Sequence, residues 1–432
     1  MRHIADFHIH SKYSRACSKS LDLVHLSAWA NIKGIDIMAT GDFTHPAWFK
    51  EIVSKLEERK PGLFALNEKA REESEELYKE YTDRAYKEPL FVLGTELSAI
   101  YTHAGKVRRV HLLVFLPSIQ AVRRFNEALL ARGCNLSSDG RPILGLSAKE
   151  ILQIGLEVSP DFVMIPAHAW TPWFAVFGSK SGYDSLEECF EDLTPHIFAI
   201  ETGLSSDPAM NWRLSTLDTI TLISNSDAHS LDKLGREANI FEGEIQSYQQ
   251  LFDTIKAGKA GTNDLKMTAT VEFFPEEGKY YEDGHLKCEF SCKPAETKRL
   301  KGVCPVCKKN LTVGVLYRIS ELADREDEKG TNHIPFKSII PLKEIISQCV
   351  GTGVKSKAVE NIFQKLINSV GHEFFILLDA QEKNFSTLVP DELIEGIMRM
   401  RNNDIELTPG YDGKFGVIKV CMPLSREQKK LL

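Results

Sequence analysis

Short apolar runs that lead into a histidine or an acidic residue recur along the first half of the chain. Asp6-Phe7-His8-Ile9-His10 closes the first of them. Ile35-Asp36-Ile37-Met38-Ala39-Thr40 leads to Asp42 and His45, and Leu90-Phe91-Val92-Leu93-Gly94-Thr95 leads to Glu96. Phe162-Val163-Met164-Ile165-Pro166-Ala167 leads to His168, Phe198-Ala199-Ile200 to Glu201, and Thr221-Leu222-Ile223-Ser224-Asn225-Ser226 to Asp227 and His229. One member differs, because His111 stands at the start of Leu112-Leu113-Val114-Phe115-Leu116. Runs of this length and apolarity suit strands buried on both faces, alternating with helices in a parallel sheet or barrel. In such folds chemistry gathers at the carboxyl ends of the strands. Between Glu57 and Lys87 the pattern changes to charged sequence carrying Leu66, Ala70, Leu77, Tyr81 and Ala85, which predicts an inserted amphipathic helix with a solvated face.

The residue types at the ends of these runs point to metal ions. Alternate residues of a strand share a face, so His8 and His10 lie together. Imidazole and carboxylate suit Zn, Mn or Fe, and no cysteine joins the set. The candidates outnumber what one ion needs, so two or three clustered ions with a bridging carboxylate are expected. Such ions generate a nucleophile from water and clamp the attacking and leaving oxygens of a phosphoester, which makes hydrolytic phosphoryl transfer the favoured reaction class.

Length changes the picture next: 432 residues exceed one ordinary core and imply two or three domains. With 43% apolar and 26% charged residues the composition is that of a soluble globular protein. No stretch approaches a membrane span, and Asp6 with the early histidines excludes a signal peptide, so a cytoplasmic location is expected. Nine cysteines in that setting predict reduced thiols or metal ligands. The net charge of −7 argues mildly against nucleic acid, although charge distribution decides the matter.

That distribution matters past the barrel. Cys288-x3-Cys292 and Cys304-Pro305-Val306-Cys307 match a four-thiolate structural zinc site, holding a module too small for its own core. Lys293, Lys298, Arg299 and Lys301 between the pairs, and Lys308 and Lys309 after them, form a local basic patch suited to phosphates. Further on, Gly351-Thr352-Gly353, followed by Lys355, Lys357 and a helical segment, offers backbone N–H groups to an anion. This stretch resembles the hairpin of helix–hairpin–helix modules that grip the DNA backbone. At the end of the chain, Gln428-Lys429-Lys430-Leu431-Leu432 is similar to bacterial sliding-clamp-binding peptides. The expected organisation is therefore a barrel over 1–265, a four-cysteine zinc module over 266–330 and a small, mostly helical DNA-binding domain over 331–432.

His8-Ile9-His10, Thr40-Gly41-Asp42, Glu96, His111, His168 and Ser226-Asp227-Ala228-His229 resemble the PHP family, named for its polymerase and histidinol phosphatase members. The resemblance implies a distorted (β/α)7 barrel with up to three metal ions. His8, His10, Glu96 and Asp227 would hold the first; Glu96 would bridge to a second, on His111 and His168; a third would use His229 with Asp42 or His45. The chain departs from the family in reading Thr-Gly-Asp-Phe-Thr-His after the second strand, and in lacking the histidine usual several residues after His-x-His.

The order of barrel, cysteine module and Gly-x-Gly tail further resembles the endonuclease Q branch. So do Gly41-Asp42-Phe43-Thr44-His45-Pro46-Ala47-Trp48, Pro166-Ala167-His168-Ala169-Trp170-Thr171-Pro172-Trp173 and Leu311-Thr312-Val313-Gly314-Val315-Leu316. That branch nicks DNA 5′ of deaminated bases (uracil, hypoxanthine, xanthine) and of abasic sites. It implies damaged DNA as partner, two or three Zn, Mn, Mg or Fe ions in the barrel and one structural Zn. Asp227 and His168 are the expected catalytic residues, and Glu201, or a histidine that is not a metal ligand, would move the proton. Trp48, Trp170 and Trp173 follow presumed ligands and would rim the site as contacts for an unstacked base; Ser224 and Asn225 are candidates to read that base by position. The alternatives are a histidinol-phosphatase-like small-molecule phosphoesterase and a non-catalytic DNA-binding protein with a degenerate barrel.

Overall fold

The apolar runs become strands, and one of them runs backwards. In the computed structural model, which describes residues 1–326, 333–385 and 388–421, the barrel wall is built from β1 (Arg2–Asp6), β2 (Ile37–Ala39), β3 (Leu90–His103), β4 (Lys106–Leu116), β5 (Val163–Pro166), β6 (Ala199–Glu201) and β7 (Thr221–Ile223). β1, β2 and β3 are parallel in that order, and β6 pairs in parallel with β7. β4 is antiparallel to both β3 and β5. This reversal explains why His111 begins its apolar run: the start of an antiparallel strand lies at the same end of the barrel as the finish of its neighbours. Past β1, Ile9 bridges Ala228 in the segment after β7, which joins the first and last strands. β8 (Ala238–Gly243) pairs antiparallel with β1, and β9 (Leu265–Glu272) extends the sheet antiparallel to β8.

Side-chain alternation sorts the strands into an inner and an outer face. Ala5, Phe7, Ile37, Ala39, Val92, Leu113, Phe115, Ile165, Ala199 and Ile223 form one buried cluster, closed by Tyr248, Leu251, Phe252 and Ile255 of the helix Tyr248–Ala257. The Phe7 ring lies edge-on to Phe115 and Phe241, at 6.2 and 6.3 Å. The complementary faces pack under surrounding helices such as Leu23–Lys33, whose first turn is capped by Asp22 accepting from the Val24 and His25 N–H groups.

The segment from Glu57 to Lys87 is not one helix. Leu56–Lys60 and Leu63–Leu66 form an antiparallel hairpin, and the helix is confined to Glu68–Lys79. Pro61-Gly62 turns the chain, with Gly62 at φ +71°, and Leu63-Phe64-Ala65-Leu66 is a continuous apolar run that the sheet buries against β3. Among the described residues no helix is long and apolar enough to cross a membrane.

The C-terminal helices Leu342–Val350, Lys357–Ser369, Glu373–Leu378 and Asp391–Arg401 dock on the barrel. Gly351, at φ +67°, ends the first of them, and Ser356 caps the second, so Gly-Thr-Gly is the turn of a helical hairpin. Cys349 and Cys421 are disulfide-bonded, which corrects the expectation that all cysteines are thiols or ligands: the fold brings together residues too far apart in sequence for spacing to reveal. The Gln428–Leu432 peptide lies outside the described residues.

The docking centres on one buried ion pair. Lys33 Nζ lies 2.6 Å from Glu373 Oε2 and also donates to the Asp232 carbonyl, while Glu373 Oε1 accepts from the Leu342 N–H. Lys33→Met removes the cation and leaves a carboxylate stranded. It should destabilise the protein by about 3–5 kcal/mol in denaturant unfolding, and the double replacement Lys33→Met/Glu373→Leu should cost much less.

Candidate metal centre

Three strand faces converge on one buried carboxylate. Along β3, Val92, Gly94 and Glu96 alternate inward, and on β4 so do Phe115, Leu113 and His111; β6 contributes Ala199 and then Glu201. The interior column is therefore apolar below and ligand-lined above. Glu96 is fully buried beneath the histidines. Its Oε1 lies 2.7 Å from His111 Nδ1 and 3.2 Å from His168 Nε2. Its Oε2 lies 3.4 and 3.3 Å from the Nε2 atoms of His8 and His10. Asp227 Oδ1 completes the second set, 3.0 Å from His10 Nε2 and 3.5 Å from His8 Nε2.

Two ligand groups result. In each, the donor atoms of His8, His10, Glu96 and Asp227, or of Glu96, His111 and His168, fall within 4.8 Å of one another. Glu96 belongs to both and supplies a different oxygen to each. His8 Nε2 is buried and has no hydrogen-bond partner, as a nitrogen aimed at an ion would be. The donor set of imidazoles and carboxylates fits divalent ions.

Electrostatics favour positive charge here. Burial alone would lower His8 and His10, but Glu201, Glu96, Asp227 and Asp42 outweigh it and hold both well above the usual histidine range. Burial would raise Glu96, yet His111, Arg141 and His8 pull it well below the carboxylate range. His111, by contrast, is pushed down to about 4, mainly by burial, which keeps a free imidazole lone pair available.

An outer layer orients the ligands. Glu201 meets His8 Nδ1 at 3.0 Å and also accepts from the His168 N–H and Asn225 Nδ2. Asp42 Oδ1 meets His10 Nδ1 at 3.2 Å, while its Oδ2 accepts from the Ser11 N–H, Ser11 Oγ and Ser14 Oγ. Such carboxylate–histidine pairs set ring orientation and basicity. Asp42, His168 and Asp227 all adopt positive φ, at +46°, +29° and +46°. Three non-glycine residues in that region at one site are strain that the surrounding structure must hold.

Several sequence expectations change at this point. Asp42 is saturated in its outer role, and His45 stacks on Tyr13 at 4.5 Å instead of facing His229. His229 lies 3.5 Å from Asp227 Oδ1, but it joins neither Asp42 nor His45 in a ligand group among the described residues. Glu201, expected to move a proton, is fully buried, and both its oxygens meet protein groups, His8 Nδ1, the His168 N–H and Asn225 Nδ2. Trp48 and Trp170 do not rim the site: both are fully buried, Trp48 donating to the Gly41 carbonyl and Trp170 to Asn211. Large apolar rings beside the strand ends served packing better than exposure. Trp173 is 38% exposed and packs edge-on to Tyr280. Ser224 and Asn225 are locked into the barrel by Asn239, Val271 and Phe7, so neither can read a base. Arg141 was not anticipated; its Nη1 lies 2.9 Å from Glu96 Oε2, and nothing in its loop sequence marks it.

The second cluster also differs by one ligand. His285, Cys288, Cys304 and Cys307 come together within 4.8 Å, whereas Cys292 bonds to Thr297 Oγ1 at 3.2 Å and stands apart. His285-x2-Cys288 has the same spacing as Cys304-x2-Cys307, so the signal was present in the sequence. In the hairpin Asp283–His285/Phe290–Cys292, His285 pairs with Phe290, which leaves Cys292 opposite Asp283 and away from Cys288. Lys298, Arg299, Lys301, Lys308 and Lys309 are exposed around this cluster, with Arg299 tied to Glu296. Gly351, Gly353, Lys355 and Lys357 are exposed on the helical hairpin.

A distorted barrel with two carboxylate-linked histidine groups defines a PHP-type metal-binding protein. Residues 212–260 match the family model described as PHP-associated, and residues 341–404 match the MJ0043 C-terminal domain. The chain is 30% identical over 435 residues to the uncharacterized protein YqxK of Bacillus subtilis (strain 168), covering 96% of this chain and 98% of that protein. It is 32% identical over 253 residues to the uncharacterized protein MJ0043 of Methanocaldococcus jannaschii, a match spanning 58% of this chain and 31% of that protein. Among solved structures, the lesion-specific endonuclease PfuEndoQ from Pyrococcus furiosus superposes with a TM-score of 0.82 at 29% identity, covering 100% of this chain and 99% of that one. Endonuclease Q in complex with a 27-mer duplex substrate, with an abasic lesion at the active site, gives 0.81 at 30%, covering 100% and 98%. The chain belongs to the endonuclease Q family of PHP-domain proteins.

Two measurements probe this architecture. Elemental analysis should find one structural metal fewer per chain in His285→Ala or Cys304→Ser, and no loss in Cys292→Ser. The second concerns Glu272, which accepts from Thr202 Oγ1 behind Glu201 and is pushed up to about 8 by burial. A carboxyl raised in the folded state stabilises fully below its free value, and that stability is lost as pH rises through the folded value. Glu272→Gln, neutral throughout, should therefore match the wild-type Tm near pH 4.5 and exceed it above pH 8.

Proposed function

We propose that the protein is a metal-dependent DNA-repair endonuclease that hydrolyses the phosphodiester 5′ of deaminated bases or abasic sites. The observation that carries this reading is the pair of ligand groups sharing Glu96, set in a chain that aligns end to end with a lesion-specific endonuclease. Ions bound there would supply a water-derived nucleophile and neutralise charge on the phosphate. His8, His10 and Asp227 would hold one ion, His111 and His168 the other, with Glu96 between them. Asp42 and Glu201 fix the imidazoles of His10 and His8.

A cavity of about 390 Å³ beside His168 is lined by Thr171, Pro172, Trp173, Phe174, Tyr280 and Tyr281. Its aromatic walls suit a nucleotide drawn out of the stack, and damaged bases cost less to extrude. Phe174 also lies 4.7 Å from the His111 ring, which ties the cavity to the metal centre. The exposed lysines and Arg299 around the cysteine–histidine cluster, with those after Gly353, would meet the phosphate backbone. This exposed, basic surface disfavours the small-molecule phosphatase reading.

End-labelled duplexes carrying one uracil, hypoxanthine or abasic site, incubated with Mn²⁺ or Mg²⁺, should be nicked once, just 5′ of the lesion. Asp227→Asn should abolish the nick while keeping duplex affinity. Intact DNA together with turnover of a chromogenic phosphomonoester would instead assign a small-molecule phosphatase.

A further inference from the structure

Arg141 reaches the centre of the ligand cluster from a loop that the barrel holds in place. Asp139 Oδ1 accepts from the Arg141 N–H at 3.0 Å, and Gly140 donates to the Tyr13 carbonyl. A Cβ at Gly140 would stand 2.3 Å from Asp42 Oδ2 and from Ser14 Oγ, so the loop passes against the metal centre where only glycine fits. On the other side, the Pro142 carbonyl accepts from the Ser98 N–H, and Ile143-Leu144 pairs with Ser98-Ala99, two residues beyond Glu96. The backbone of Arg141 is thus fixed, and its side chain alone reaches the ligand cluster.

That side chain does one thing among the described residues: Nη1 donates to Glu96 Oε2. A guanidinium has five donors in a planar fork. Among the described residues the remaining four donors have no hydrogen-bond acceptor, and the side chain is 27% exposed, in contrast to Glu96. Arg141 therefore stands between a buried carboxylate and the open mouth. The oxygen it bonds is the one that lies beside His8 and His10 Nε2, so a guanidinium and an ion on the His8–His10–Glu96–Asp227 group compete for it.

We propose that Arg141 is a catalytic residue that leaves Glu96 when the ions bind and turns its donors to the non-bridging oxygens of the scissile phosphate. This rests on the endonuclease reading. The charges of the ions repel the guanidinium, and a phosphodiester arriving at the mouth offers it an anion with matching geometry. Arg141 forms no bond to phosphorus and transfers no proton; it stabilises charge that grows on those oxygens as the nucleophile attacks and the leaving oxygen departs.

Arg141→Ala and Arg141→Lys, compared with wild type, test this by three readouts. Single-turnover cleavage of an abasic duplex in Mn²⁺ should slow by about 100-fold in the alanine variant, the cost of losing one such donor. Lysine should recover part of that rate, and added guanidinium ion should restore part of it to the alanine variant. Fluorescence anisotropy of the labelled duplex should change by less than about threefold, since one phosphate contact of many is lost. Calorimetric titration should show Mn²⁺ binding to Arg141→Ala at least as tightly as to wild type, because a competitor for Glu96 is gone. An unchanged cleavage rate overturns the proposal, as does Mn²⁺ affinity that falls with the rate, which would make Arg141 a support for Glu96. If wild type leaves the lesion duplex intact, the endonuclease reading fails, and with it the phosphate role. The Mn²⁺ titration then still decides whether Arg141 is a displaceable cation.

Discussion

Glu96 is the constraint on which the rest of the structure depends. A carboxylate buried at the top of a barrel is tolerated only if positive charge surrounds it, because an unpaired buried charge costs several kcal/mol. Its two oxygens therefore gather four histidines and an arginine, one oxygen serving His111 and His168 and the other His8, His10 and Arg141. The same crowding requires a second carboxylate, Asp227, and outer carboxylates on the far nitrogens of His8 and His10. Protein packing thus determines the charge pattern that a pair of divalent ions would complete.

The barrel is arranged to deliver these groups at one level. The antiparallel β4 brings His111 in from the opposite chain direction, and its pairing with β3 places His111 across from Ser98, next to the inward face of Glu96. The bridge between Ile9 and Ala228 holds the His-x-His segment against the Asp227 loop. Asp6 reinforces that closure by accepting from the Ser226 and Gly235 N–H groups. The positive-φ residues Asp42, His168 and Asp227 stand just past strand ends, where the chain must turn its side chains toward the site. The apolar column beneath supplies the stability that holds such turns.

The modules after the barrel meet the same physical demands by other means. The stretch around the cysteine–histidine cluster is too short to build a large core, and a tetrahedral ligand set can replace one. The helical domain packs its apolar residues into one cluster continuous with the barrel's outer layer, is held to the barrel by Lys33 and Glu373 and is linked internally by Cys349 and Cys421. Exposed basic residues remain on both modules, although the chain as a whole is acidic.

The strands, the ligand types and the family were legible in the sequence, because strand apolarity and histidine or carboxylate placement are local properties. His8, His10, Glu96, His111, His168 and Asp227 each stand where an apolar run ends or begins, which nominated them among a larger set, and the resemblance to the PHP family grouped them. Tertiary structure alone decided the roles that depend on neighbours. Asp42 reads as a ligand and Glu201 as a proton carrier in one dimension, yet their oxygens meet histidine nitrogens and other groups far away in the chain. Trp48 and Trp170 look like a rim but are core, because burying an indole gains more than exposing it. His285 displaced Cys292 because a hairpin register chose which side chains face the cluster. Arg141 had no signature at all: a single guanidinium in a loop becomes meaningful only when folding carries it to a buried carboxylate 45 residues away in the chain.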